Sequence, residues 1–112
     1  MDCLFCSIAS GEKNVPFRYE DEQAVAFDDI APKAPTHILI VPKTHLPSVA
    51  EMTDADERLV GHLAYIAKQL AEEQGIAEDG YRVLFNTRTH AGQSVDHIHL
   101  HLLGGRQLGA MV

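Results

Sequence analysis

His97-Ile98-His99-Leu100-His101-Leu102-Leu103 places an imidazole at every second position, with large aliphatic residues between. A period of two belongs to a β-strand, so the pattern predicts histidines on one face and Ile98, Leu100 and Leu102 on the other. Three of the chain's seven histidines share that face. A strand that merely turns a polar face to water usually carries Thr, Lys or Glu there. A shared metal is the next reading. Alternate strand residues lie roughly 6.6 Å apart, so the outer two histidines are about 13 Å apart. Zinc bonds of about 2.0–2.1 Å reach two neighbours, and all three only with strain. Separate roles fit better: one histidine to attack, one to handle protons, one to brace or bind at the end.

Outward from this strand, Gly104-Gly105 closes it, and Arg106 to Val112 form a tail without a pattern. Before it, Thr87 to Ser94 reads as a loop and Tyr81 to Asn86 as a strand entered through the Asp79-Gly80 turn. Leu59, Leu63, Ile66 and Leu70 recur at helical spacing. Thr53 with Asp56 predicts a capping box at that helix's start, and Gly75 predicts its end. His62 lies off the apolar stripe and reads as a surface or boundary residue. His37 to Val41 is a short β-branched strand halted by Pro42. Val15–Glu20 and Ala24–Asp28 read as a hairpin about Asp21-Glu22-Gln23, and Ile30 to Thr36 as a loop. Cys3 to Ser10 predicts a short helix closed by Gly11. The sum is an α+β fold: a five-stranded, mainly antiparallel sheet with one long helix and a short N-terminal helix. Residues 1–112 read as a single domain.

Hydrophobic residues make up 46% of the chain and the formal net charge is −7. That acidity argues against a nucleic-acid surface but leaves room for a small anion held locally. No apolar run approaches the ~20 residues that span a bilayer. The N-terminus lacks a basic segment followed by a long apolar stretch. The expected setting is cytoplasmic, with no membrane partner. The two cysteines, Cys3 and Cys6, form a C-x-x-C pair. In that setting such a pair points to metal or redox chemistry rather than a structural disulfide.

Imidazole titrates near neutrality, so it serves as a nucleophile or as an acid–base group. Attack on phosphorus gives a phosphorus–histidine bond that water later cleaves. Gly92-Gln93-Ser94, just before the histidines, offers backbone N–H groups, an amide and a hydroxyl to a phosphate. Only Arg88 and Arg106 lie near in sequence, and no P-loop is present. Sparse cations favour one phosphate at the reacting centre, as in a nucleoside monophosphate joined to an amine or acyl group.

The H-φ-H-φ-H-φ-φ run resembles the signature of the histidine triad superfamily. Phe27-Asp28-Asp29-Ile30, Ala34-Pro35-Thr36-His37, Val41-Pro42-Lys43, Gly92-Gln93-Ser94-Val95 and Leu103-Gly104-Gly105-Arg106 look like its Hint branch, the bacterial purine nucleoside phosphoramidases in particular. The resemblance implies a homodimer that joins two sheets. It implies hydrolysis of the P–N bond of purine nucleoside 5′-phosphoramidates, aminoacyl-adenylate-like compounds included, through a nucleotidylated histidine and without a catalytic cofactor. His99 would be the nucleophile. His101 and His37 would orient it, contact phosphate or pass protons. Ser94 and Gln93 would bind the phosphate and leaving group, supported by Asn86. Asp29 would accept the ribose hydroxyls, as a carboxylate is equipped to do. Phe27, Ile30 and Ile8 would line the base pocket.

Two features depart from the usual Hint pattern. Relatives in the superfamily that carry such cysteines bind zinc, which here implies a structural Zn²⁺ on Cys3, Cys6, His45 and His97. Asp96 stands where the family often has Tyr or Phe, on the face opposite the imidazoles. Two alternatives remain: a dinucleoside polyphosphate hydrolase of the Fhit type, and a nucleotide- or zinc-binding module with little turnover.

Overall fold

Short β-branched segments separated by turns pair into one sheet. In the computed structural model, which describes residues 3–111, its strands are β1 (Tyr19–Glu20), β2 (Ala24–Asp28), β3 (Thr36–Pro42), β4 (Tyr81–Leu84) and β5 (Leu100–Gly104). The order across the sheet is β1-β2-β3-β5-β4, and every neighbouring pair is antiparallel. Two α-helices complete the fold, α1 (Leu4–Ala9) and α2 (Glu57–Glu73). The α+β expectation holds, and β5 lies inside the sheet between β3 and β4.

Alternation sorts the strand residues between two layers. Ala24, Ala26, Ile38, Ile40, Leu100 and Leu102 form one core with Leu63, Ile66, Ala67, Leu70 and Ala71 of α2. Each large aliphatic side chain buried there contributes about 1.5–3 kcal/mol. Val25, Phe27, Leu39 and Val41 pack on the opposite face with Cys3, Phe5, Ile8 and Ala9 at α1. The imidazole face therefore does not turn to water: His37, His97 and His99 are buried.

The helix signals are realised with one refinement. The capping box of Thr53 and Asp56 caps a 3-10 turn, Asp54–Asp56, from which α2 continues. Gly75 follows α2 at φ +73°, and the Ile76 N–H closes onto the Ala71 carbonyl at 3.0 Å. This left-handed stop needs glycine's freedom.

The histidine stretch is shorter as a strand than its pattern predicts. The ladder pairs Ile40 with Leu100 and Ile38 with Leu102, so the next partner of Ile98 would be Pro42. Proline has no N–H to contribute. The chain leaves the ladder there, and the Ile98 N–H goes to the Leu46 carbonyl at 2.6 Å. Residues 15–18 and 85–86, expected in strands, lie outside β1 and β4. The tail is pinned by Arg82 on the Gly109 carbonyl and by Arg106 on the Lys33 carbonyl, at 3.0 and 2.9 Å. Asp96 is exposed, so its charge stays in water.

Candidate active site

A backbone group dictates the tautomer of His99, of His37 and of His97, and His37 passes it on to His101. The His99 Nδ1 lies 2.8 Å from the His97 carbonyl oxygen. A carbonyl only accepts, so Nδ1 carries the hydrogen and Nε2 keeps its lone pair. The Phe5 ring from α1 meets His99 edge-on at 5.0 Å, and Phe27 meets Phe5 at 5.6 Å. Burial lowers the His99 pKa, so the ring is neutral at pH 7. A neutral, buried imidazole with a free Nε2 is a competent nucleophile.

His37 and His101 form a second unit. The Lys33 N–H donates to His37 Nδ1 at 3.0 Å, which leaves the His37 hydrogen on Nε2. That Nε2 lies 2.9 Å from His101 Nδ1 and 3.3 Å from Asp29 Oδ2. His101 Nδ1 must accept, so its own hydrogen sits on Nε2. Among the described residues, this Nε2 is the buried side-chain polar atom without a partner. It is a donor in place for an incoming oxygen. Burial, followed by the neighbouring His99 and His37, pushes the His101 pKa down to about 4, and burial also lowers His37. The pair is diagonal in the sheet, since β3 and β5 pair Leu39 with His101 and His37 with Leu103.

His97 faces elsewhere. Its Nε2 donates to the Pro42 carbonyl at 2.8 Å, which leaves the Nδ1 lone pair free. That Nδ1 lies 3.4 Å from Cys3 Sγ, 3.6 Å from Cys6 Sγ and 3.3 Å from His45 Nδ1. Cys6 Sγ is 3.4 Å from His45 Nδ1. The ligand atoms of Cys3, Cys6, His45 and His97 all lie within 4.8 Å of one another and could hold a metal ion. Cys3 also caps α1 by accepting the Cys6 N–H, so the helix starts at the cluster.

The loop before the histidines differs from its expected use. The Gln93 amide is spent on the loop itself: its oxygen accepts the Arg88 N–H at 2.7 Å, and its nitrogen donates to the Pro47 and Val95 carbonyls at 2.7 and 2.9 Å. The side chain thus shapes the loop rather than reaching out to a phosphate. Ser94 is exposed and Asn86 half-buried. Phe27 is buried under α1 and Ile8 on the inner side of α1, whereas Ile30 is 100% exposed and lines no enclosed pocket in the single chain. A separate concavity of about 650 Å³ between the end of α2 and the tail contains none of the histidines.

Three contributors escape sequence reading. The Lys33 N–H and the carbonyls of His97 and Pro42 are backbone groups, which carry no side-chain signal. Phe5 had one available signal, an aromatic beside Cys3 and Cys6 in a short helix.

Comparison with known proteins places these features in context. A family model described as "HIT domain" matches residues 10–108. The purine nucleoside phosphoramidase of Escherichia coli (strain K12) is 46% identical over 111 residues, 99% of this chain and 93% of that protein. A HIT family hydrolase from Legionella pneumophila Philadelphia 1 superposes with a TM-score of 0.94 at 48% identity, covering 96% of each chain. A histidine triad protein from Clostridium difficile superposes with a TM-score of 0.96 at 40% identity, covering 100% of this chain and 97% of the other.

Proposed function

The chain belongs to the HIT domain family, and on that premise we propose that it is a hydrolase of the P–N bond in purine nucleoside 5′-phosphoramidates. The observation that carries the reading is the free Nε2 lone pair of His99 beside the unpartnered Nε2–H of His101. His99 Nε2 attacks phosphorus, the P–N bond breaks, and the amine departs with a proton taken from solvent, which the attacking water of the second step gives back. Water then attacks the nucleotidyl-histidine, releasing the nucleoside monophosphate and restoring the neutral ring. The His101 Nε2–H supplies a hydrogen bond to a phosphoryl oxygen, where negative charge grows. Ser94, at the exposed end of the loop, meets the phosphate or leaving group, with Gln93 holding the loop in shape and Asn86 close in sequence. Asp29 takes the ribose hydroxyls. Phe27, Ile30 and Ile8 contribute to the base site. Residues 1–112 act as a single HIT domain.

The Cys3, Cys6, His45 and His97 cluster fits zinc. A tetrahedral ion with ordinary bond lengths sets S···N edges of about 3.6 Å and N···N edges of about 3.3 Å. The distances of 3.4, 3.4 and 3.6 Å and of 3.3 Å here lie close to those edges. The hydrogen bond from His97 to Pro42 supports the ligating tautomer. When bound, the ion supplies structural cross-linking of the α1 start, the segment after β3 and the approach to β5, and no catalytic step.

The outer edge of β4, with Tyr81 and Val83 exposed, supports pairing with a second copy into a homodimer. No helix among the described residues is long and apolar enough to cross a membrane. That, with the net charge of −7, supports a cytoplasmic protein without membrane or nucleic-acid partners.

The test is to quench turnover of an adenosine 5′-phosphoramidate and map the protein by mass. An AMP adduct on His99 is expected, and His99→Ala should lose at least about a thousandfold in kcat while keeping AMP binding. Equal turnover in mutant and wild type would sink the nucleophile assignment.

A further inference from the structure

Asp29 is held by the chain before any ligand arrives. Its backbone N–H bonds to the His37 carbonyl at 2.9 Å, and its Oδ1 accepts the Ala31 N–H at 2.8 Å. Its side chain is 19% exposed, so the carboxylate is mostly shielded. Oδ2 is left 3.3 Å from His37 Nε2. That nitrogen has one hydrogen, because Nδ1 is already occupied by the Lys33 N–H. Two acceptors compete for it: His101 Nδ1 at 2.9 Å and Asp29 Oδ2 at 3.3 Å. The carboxylate, His37 and His101 present their atoms within 4.8 Å of one another.

We propose that Asp29 is a positioning residue for the His37–His101 pair as well as the ribose ligand, so that the sugar hydroxyls control how the His101 Nε2–H is aimed. This rests on the phosphoramidate reading above. Vicinal hydroxyls donate to the carboxylate and draw on the lone pairs of Oδ2. Its claim on the His37 hydrogen then weakens, and that hydrogen goes to His101 Nδ1 alone. Undivided, this hydrogen bond holds His101 Nδ1 as the acceptor and so aims the His101 Nε2–H at the phosphate. Buried hydrogen-bond chains strengthen along their length, so a change at Asp29 reaches the far end. Burial depresses His37 and His101, and Asp29 is the carboxylate that opposes it in both rings.

The consequence is that ribose selection appears in kcat and not only in KM. The substrates are the phosphoramidates of adenosine and of 2′,3′-dideoxyadenosine, each with wild type and with Asp29→Asn. Wild type should lose about tenfold in kcat on the dideoxy substrate, the scale of one charge-assisted hydrogen bond. In Asp29→Asn the kcat ratio between the two substrates should fall to about one. A dideoxy substrate that raises KM alone, or an Asp29→Asn variant that keeps the wild-type kcat ratio, overturns the proposal. A readout independent of turnover is imidazole ¹⁵N NMR of wild type saturated with AMP or 2′,3′-dideoxy-AMP. The His37 Nε2 resonance should move with AMP and stay with the dideoxy nucleotide; equal spectra overturn it. A wild type inactive on both phosphoramidates would instead overturn the hydrolase reading, and the NMR comparison would still judge the linkage.

Discussion

Neutrality is the common property of the buried imidazoles, and burial is its first cause. A ring whose folded pKa lies below 6.5 binds fewer protons folded than unfolded. Stability is then complete above pH 6.5 and falls as the pH drops toward the folded value. For His101, at about 4, the loss runs from pH 6.5 down to about 4 and reaches on the order of 3 kcal/mol at most. Urea titrations at pH 7 and pH 5 should show this, and His101→Asn should flatten the dependence. Arg88 offers a second residue-scale test. It is the described non-glycine residue with positive φ, at φ 64° and ψ −171°. That region is essentially glycine's own and costs other residues about 1–3 kcal/mol. The Arg88 side chain is 66% exposed and meets Glu51, an ion pair of small worth at the surface. Arg88→Gly should leave thermal stability unchanged or raise it by up to about 1 kcal/mol. Destabilisation beyond 1 kcal/mol would mean that the Glu51 contact outweighs the backbone.

At the scale of elements, α2 is tied to the β1–β2 turn by His62, which a helix-face reading leaves at the surface or boundary without a partner. Its Nε2 lies 2.6 Å from Asp21 Oδ2, the oxygen that also accepts the Tyr19 hydroxyl at 2.7 Å. Asp21 Oδ1 accepts the N–H groups of Gln23 and Ala24. Burial alone would raise the Asp21 pKa, but the donors His62, Tyr19, Gln23 and Ala24 hold it well below the usual carboxylate range. Its contribution is thus present above the ordinary Asp value and fades as acid titrates it. His62→Ala should cost about 1–2 kcal/mol in chemical denaturation with little change in kcat. A loss of activity at unchanged stability would contradict a purely tertiary role. Gly104, at the end of β5, is close-packed: a Cβ there would meet Ile76 Cδ1 at 2.6 Å and Tyr81 Cβ at 3.4 Å. The helix, its capping box and its glycine stop were legible because each is a local pattern. The clasp was not, because Asp21 and His62 are 41 positions apart and carry no shared period.

For the molecule as a whole, the central strands β2, β3 and β5 are covered on both faces, while the edge strand β4 is left open. β4 presents Tyr81 and Val83 at 38% and 43% exposure beside an unpaired edge. Sedimentation should therefore report a dimer, and Val83→Lys should shift it toward the monomer. The Cys and His cluster is the other long-range constraint, since it spans 94 positions from Cys3 to His97. Metal analysis of protein purified without chelator should give about one zinc per chain. Chelation or Cys6→Ser should lower Tm by about 5 °C or more, because a ligand bound only to the folded state stabilises it.

The period of two in residues 97–103, the helical stripe of α2 and the turn residues determined the α+β class and the histidines as its centre, because periodicity reports which side chains share a face. The family motifs brought in His37, Asp29 and the four candidate metal ligands as separate segments. Only the tertiary structure decided how each ring is used. Pro42 ends the ladder and sends His97 to the cysteines, the His97 carbonyl frees His99 Nε2, and the Lys33 N–H orders the His37–His101 pair. Gln93 turned inward for the same reason, with three backbone partners inside hydrogen-bond distance. The tautomers of His37, His97 and His99 are set by hydrogen bonds to backbone groups, and that of His101 follows from His37. Every residue type carries the same backbone, so their placement exists only once the chain has folded.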